Sequence, residues 1–404
     1  MSVELTKQYL QMRLHSARQL PCLAFLSHKT HLSACAAFTS LSKLTSTSNS
    51  YRTISSQRKG KSNEMMEEKR FQFPMIDVDC NLTHEDLSSM LVDSTDVLYR
   101  NIERNFRILF HPSTVSSNIH GVFSPASTID QAEKMHALLI SSALESRNGI
   151  LVKTSVGVHP YHVEEEGNLD DVGASISLRI KNLIETDKNS GEFICCIGET
   201  GLDYSDGFPD RQNQLPWFRY QLELAKEYNL PLFIHERLAF KDTVTLIDQI
   251  FPNPKKCPPI IIHCFTGTVD DCFNYIQRGY YISVSGYILK NGEGPEEVKK
   301  CLRDGIIPIE KLMIETDAPY MGFNGCRDAY FENEGDEFQN LTSKKKKRLL
   351  KAIYPNVPSA LPIVLETTVG LINEGKRMRN EEEISIEAAA SQFFKTSMNF
   401  FRVD

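Results

Sequence analysis

A chain of 404 residues, 41% apolar and 24% charged, has room for one large globular domain or two ordinary ones. Its net charge of −7 excludes a protein that coats nucleic acid by bulk positive charge; a nucleic-acid substrate held by metal ions and a few local cations stays open. No apolar run is long enough to cross a bilayer, and ten cysteines without a CxxC pair read as reduced thiols rather than a zinc ribbon or disulfide framework.

Residues 1–70 are rich in Ser, Thr, Lys and Arg, and after Glu4 no acid appears until Glu64. That composition resembles an organelle transit peptide; an untargeted extension, with Met65 or Met66 as the working start, is the alternative. The extension is set apart from one domain over 71–404. Localisation is expected to be cytoplasmic, or mitochondrial or plastid where the extension acts as a leader.

From Met75 onward short apolar runs alternate with helical patterns. MIDVDCNL is the first strand. It carries Asp77, Asp79 and Asn81 at every second position, which in a strand places three polar groups on one face. Burying them is costly unless something binds them. HGVFSPA and ILVKTSVGVHP follow, the latter ending at His159. FICCIGETGLD, the fourth strand, holds Glu199 between two glycines that permit a tight turn. LPLFIHER puts His235 and Arg237 two apart, on a shared face. PIIIHCFTG ends at His263, YYISVSG is seventh, and KLMIETDAPY ends with Glu315 and Asp317 before Pro319. Between strands, IDQAEKMHALLISSALES and RQNQLPWFRYQLELAKEYN have apolar residues at helical spacing.

Eight strands, most followed by a helix, predict a (β/α)8 TIM-type barrel, with a doubly wound open sheet as the runner-up. The polar residues decide for the barrel. They cluster at the C-terminal ends of strands, which in a barrel meet at one mouth. A His, Glu and Asp ligand set suits a catalytic divalent ion with open positions, which lowers the pKa of water.

GETGLDY, PLFIHER, HCFTG and IETDAPY, in this order, resemble the TatD family of metal-dependent deoxyribonucleases. GVHPY at 157–161 and NVPSALPIV at 356–364 extend the resemblance, which runs from about Met75 to the C-terminus. It implies an amidohydrolase-like barrel and one or two divalent ions (Mg2+, Mn2+ or Zn2+). It also implies hydrolysis of DNA phosphodiesters, often from a 3′ end, with single-stranded DNA or 3′ ends as the partner. By motif, Glu199 resembles the carboxylate that bridges two metals, His235 and His263 the ligands of one, and Asp317 the aspartate near the other.

The family's first-strand motif D-x-H-x-H reads Asp77, Asp79 and Asn81 here, so both imidazoles are replaced. Asp79 either supplies an oxygen ligand, favouring a harder ion such as Mg2+, or hydrogen-bonds a neighbouring strand. The chemistry expected is metal-assisted hydrolysis in which Asp317 or Glu199 takes the proton of the attacking water. Arg237 stabilises charge on the phosphoryl oxygens, or else pairs with Glu236 or another acid at a strand end. His159 contacts a phosphate or supports the metal indirectly, unless its hydrogen bond is structural, and Glu315 orients a ligand.

A small-molecule amide or ester hydrolase and a non-catalytic barrel are the competing readings. The run SKKKKRLLK at 343–351 reads as a contact for a DNA backbone, a solvated helix face or a nuclear-localisation signal. Trp217 is expected in the core.

Overall fold

All eight apolar runs form strands, which follow one another around one parallel sheet: β1 (Met75–Asp77), β2 (Ile119–Ser124), β3 (Leu151–Val156), β4 (Ile194–Asp203), β5 (Leu232–Arg237), β6 (Ile260–Ile262), β7 (Tyr281–Val284) and β8 (Leu312–Ile314). The computed structural model describes residues 73–90, 106–140, 150–189, 192–334 and 336–403. They belong to one unit, Lys69–Asp404; the expected extension over residues 1–70 lies outside the described residues.

Parallel neighbours in chain order need a crossover after each strand. The described crossovers carry α1 (Ile129–Ile140), α2 (Leu169–Lys188), α3 (Arg211–Tyr228), α4 (Phe240–Ile250), α5 (Val269–Gln277) and α6 (Glu293–Arg303). After β8 an insertion containing α7 (Ser343–Lys351) leads to α8 (Leu361–Met378) and α9 (Ile386–Phe400).

The sheet closes on itself just beyond the ends of its first and last strands. Val78 N–H donates to Ile314 O at 3.3 Å, Asp317 N–H to Asp79 O at 2.8 Å and Asn81 N–H to Ala318 O at 2.7 Å. Cys80 and Ala318 form a parallel bridge. An open sheet has no such seam, so the barrel is the fold.

Strand alternation separates two cores. In β6, Ile261 points into the barrel, where it joins Ile76, Val78, Phe123, Phe233 and Met313. Its neighbours Ile260 and Ile262 face the helices, with Trp217, Leu222, Val298 and Leu365. Each fully buried side chain of this size contributes about 1.5–3 kcal/mol. Trp217 is a core residue, and its indole N–H donates to Gly167 O at 3.0 Å. Cys80, Cys195, Cys196, Cys257, Cys264, Cys272, Cys301 and Cys326 are free thiols. No helix among the described residues is long and apolar enough to cross a membrane.

The first strand departs from expectation. It ends at Asp77, so the every-second-residue rule fails beyond it and the three polar groups have three different fates. Asp77 staples the barrel seam: its carboxylate accepts from Thr316 N–H at 2.8 Å and from the Thr316 hydroxyl at 2.6 Å. Asn81 Oδ1 accepts from the Thr83 hydroxyl at 2.6 Å and shapes the loop. Asp79 alone turns to the cluster at the mouth.

Candidate metal centre

The mouth is built from strand ends whose backbone is bent to present side chains. Leu238, Cys264 and Asp317, each at or just beyond a strand end, adopt φ of 56°, 43° and 51°. Non-glycine residues avoid that region unless their surroundings enforce it, and such residues gather at functional sites. Gly201 allows β4 and β5 to close up here, because a Cβ on it would collide with the His235 carbonyl.

Glu199 is the hub. Its Oε1 lies 3.2 Å from His159 Nε2, 3.0 Å from His263 Nε2 and 3.4 Å from His235 Nδ1. Burial raises a carboxyl pKa, but here the nearby charges of His159 and His263 and hydrogen bonds from His159 and His235 outweigh it. Glu199 is held well below the usual carboxylate range. His235 Nε2 is 2.8 Å from Asp203 Oδ2. With Nε2–H donating to Asp203, the lone pair of His235 sits on Nδ1, the atom that faces Glu199.

A second group lies across His263. Its Nδ1 is 3.1 Å from Asp79 Oδ2 and 3.8 Å from Glu315 Oε1. The other oxygen of Glu315 accepts from the Ser283 hydroxyl at 2.7 Å. His263 is stacked on Phe233, with ring centroids 4.6 Å apart. Burial would push its pKa down, but Glu199, Asp79 and Glu315 drive it well above the usual imidazole value.

Two sets of ligand atoms therefore converge, each within 4.8 Å: His159 with Glu199 and His235, and Asp79 with His263 and Glu315. The expected set Glu199, His235 and His263 is in mutual contact through Glu199 Oε1, while the two converging sets place His159 beside Glu199 and His235, and His263 with Asp79 and Glu315. Asp317 falls outside both. Burial, then the charge of Glu315, pushes its carboxyl up to about 7, and burial lifts Asp79 well above the ordinary value.

These residues fit a divalent cation. Asp79 Oδ1, His263 Nδ1 and Glu315 Oε1 are buried with no aligned hydrogen-bond partner. Each such orphan costs about 1–3 kcal/mol. Acids that hold protons when crowded together release them to a cation, and imidazole with carboxylate oxygen is an ordinary donor set for one.

Arg237 ends β5 beside this cluster, in register with Asp203. It does not pair with Glu236, whose carboxylate accepts from Ala239 N–H and the Tyr275 hydroxyl, both at 2.8 Å. Phe208 lies over His235 at 6.2 Å between centroids and meets Tyr161 at 5.5 Å, giving the β3 and β4 side an aromatic rim. On α7, Lys344, Lys345, Lys347, Arg348 and Lys351 are exposed. Sequence reasoning missed Asp203, although it stands inside GETGLDY four residues after Glu199.

Comparison with known proteins places this geometry. The family model described as TatD related DNase matches residues 76–362. The deoxyribonuclease Tat-D of Schizosaccharomyces pombe is 29% identical over 254 residues, 61% of this chain and 73% of that protein. The 3′-5′ ssDNA/RNA exonuclease TatD of Escherichia fergusonii is 39% identical over 128 residues, 32% of this chain, and the match spans 47% of that relative's length. A solved structure of a hydrolase TatD family protein from Entamoeba histolytica shares the fold, with TM-score 0.58 and 23% identity over 82% of this chain and 98% of that one. With the family match running from β1 to the start of α8, this chain belongs to the TatD related DNase family.

Proposed function

We propose that the chain is a metal-dependent hydrolase that cleaves phosphodiester bonds of DNA, releasing nucleotides from 3′ ends. The observation that carries this reading is the pair of ligand groups joined by the 3.0 Å contact between Glu199 and His263 at the barrel mouth, with Arg237, which has no ion-pair partner among the described residues, at the end of β5 beside them. His159, Glu199 and His235 would hold one ion and Asp79, His263 and Glu315 another. The oxygen-rich second group favours Mg2+ or Mn2+, and the imidazole-rich first group also suits Zn2+. A bound divalent cation supplies positive charge to the phosphoryl oxygens and acidifies nearby water.

The chain's own residues do the rest. Asp203 fixes the tautomer and angle of His235. Asp317, just past β8 at the mouth, would take a proton from the attacking water. Arg237 offers N–H donors to the phosphoryl oxygens as charge builds there. The names of the curated relatives, a deoxyribonuclease and an ssDNA/RNA exonuclease, support the substrate class.

The test is release of nucleotides from 3′-labelled single-stranded DNA by the full chain with Mg2+ or Mn2+, beside Glu199→Gln and His263→Ala. The wild type is expected to release nucleotides. Each variant should lose at least about 100-fold, the scale of removing a group that stabilises transition-state charge. No release by folded wild-type protein with any divalent ion would refute the assignment.

A further inference from the structure

Lys290 is a basic residue that neither the sequence motifs nor the ligand groups account for. It follows the single turn Gly286–Leu289 after β7, so it stands at the same barrel mouth as Arg237 and Asp317. The position is tightly fixed. Lys290 N–H donates to Tyr287 O at 3.0 Å, and Lys299 Nζ donates to Lys290 O at 3.1 Å. The turn interlocks with the segment after β8, where the Met321 carbonyl packs so closely on Gly286 that no Cβ would fit.

The head group of Lys290 meets no oxygen acceptor among the described residues. Its Nζ rests 3.6 Å from the Met321 thioether sulfur, a weak acceptor, and no carboxylate lies within ion-pair distance among the described residues. Arg237 is in the same condition, because Glu236 is turned to Ala239 and Tyr275. Arg179, Arg211, Arg303, Arg377 and Arg379, by contrast, each have a carboxylate partner.

The two cations also feel one another. Burial lowers the Lys290 pKa and the Arg237 charge lowers it further, against an upward pull from Cys264 and Asp317; Arg237 also acts on Tyr287, in the turn that precedes Lys290. Two half-buried cations at one barrel mouth, neither in an ion pair among the described residues, are unfavourable there. An anion between them reverses the sign.

We propose that Arg237 and Lys290 form a two-cation cradle for a phosphate group of the substrate, with the Met321 sulfur as the resting place of the Lys290 ammonium when no anion is present. The cradle rests on the phosphodiester reading above and adds to it a named second cation from the β7 side. Lys supplies a point charge and Arg a planar fork, a division of labour suited to one phosphate held from two directions.

The experiment is calorimetric titration of the full chain with thymidine 5′-monophosphate, with and without Mg2+. It uses the wild type, Lys290→Met, Lys290→Arg, Arg237→Gln and the Arg237→Gln/Lys290→Met double variant. KM for labelled single-stranded DNA is measured alongside. Methionine keeps the aliphatic bulk against Met321, and arginine keeps the charge. Lys290→Met and Arg237→Gln are each expected to weaken binding about tenfold or more. Lys290→Arg should keep most of the affinity, and the double variant should lose less than the product of the two single losses, because one anion is shared.

Wild-type affinity retained in Lys290→Met, no measurable binding by the wild type, or loss in Lys290→Arg equal to that in Lys290→Met overturns the cradle. Nucleotide binding with the expected losses, from a chain that hydrolyses no DNA, sinks the nuclease reading and leaves the cradle standing. DNA hydrolysis whose KM is unchanged in Lys290→Met does the reverse.

Discussion

Asp203 shows how much of the centre depends on a residue that touches no ligand position. Its Oδ1 accepts from Ser205 N–H at 2.8 Å, which leaves Oδ2 for His235. Burial raises its pKa, but hydrogen bonds from His235 and Ser205 outweigh this and hold the carboxylate ionised below its usual range. An amide in its place could present Nδ2–H to His235 and reverse the tautomer. Asp203→Asn is therefore expected to weaken metal affinity by about 10–100-fold, the usual cost of losing such a partner, with little change in thermal midpoint. Metal titration by calorimetry reads this directly; unchanged affinity would show that His235 is not a ligand or needs no orienting. At this scale the sequence was legible for His159, Glu199, His235, His263, Asp79 and Glu315 as residues that converge. Their grouping was not, because ring orientation and the choice of nitrogen depend on contacts between strands. Asp203 and Lys290 were hidden for the same reason: each matters through a partner, or the want of one, distant in sequence.

Among elements, β4 and α7 mark the two limits of local reading. The ten residues of β4 are all buried, and their apolar run with a glycine-flanked acid is strong enough to read directly. β1 is only three residues long, and extrapolating its alternation to Asn81 failed because the seam with the segment after β8, not strand periodicity, decides where those side chains go. The basic run does form a helix. The Thr342 side chain accepts from Lys345 N–H, capping it, yet lysines fill its first turn, where the helix dipole disfavours positive charge. Its five exposed cations have no acidic partner among the described residues.

The insertion that carries α7 leaves β8 at the mouth and returns with the Ile353 carbonyl packed on Gly322, close to Asp317 in the chain. That path brings the insertion back beside the mouth, so the backbone-contact and solvated-face readings of the run predict different outcomes. Replacing Lys344, Lys345 and Lys347 by Gln is expected to raise KM for single-stranded DNA while leaving kcat and melting behaviour alone. The slope of log KM against log salt should flatten by about 0.7 for each phosphate that the helix no longer neutralises. An unchanged salt slope would return α7 to the role of a solubilising surface helix.

Across the whole molecule, a column of rings joins the closed end of the barrel to the metal centre. Phe401, just past α9, stacks on Phe123 at 4.5 Å; Phe123 meets Phe233 at 4.8 Å; Phe233 supports His263 at 4.6 Å. The apolar runs of the strands predicted an inner core, but nothing local in the sequence assigns the last helix to plug it. The column makes two predictions that differ by position. Phe401→Ala removes a ring that is only 3% exposed and far from the chemistry. It is expected to cost about 3–5 kcal/mol of stability, with kcat intact below the melting range. Phe233→Ala carries a similar stability cost but also removes the surface on which the His263 ring lies flat, so metal affinity and kcat should fall with it. Thermal melts paired with metal titration distinguish the two. If both variants lose stability and neither loses affinity, His263 is positioned by Glu199 and Asp79 alone, and the column serves packing rather than the site. If Phe401→Ala also weakens the metal, the column transmits displacement from the base of the barrel to its mouth, as a close-packed interior can.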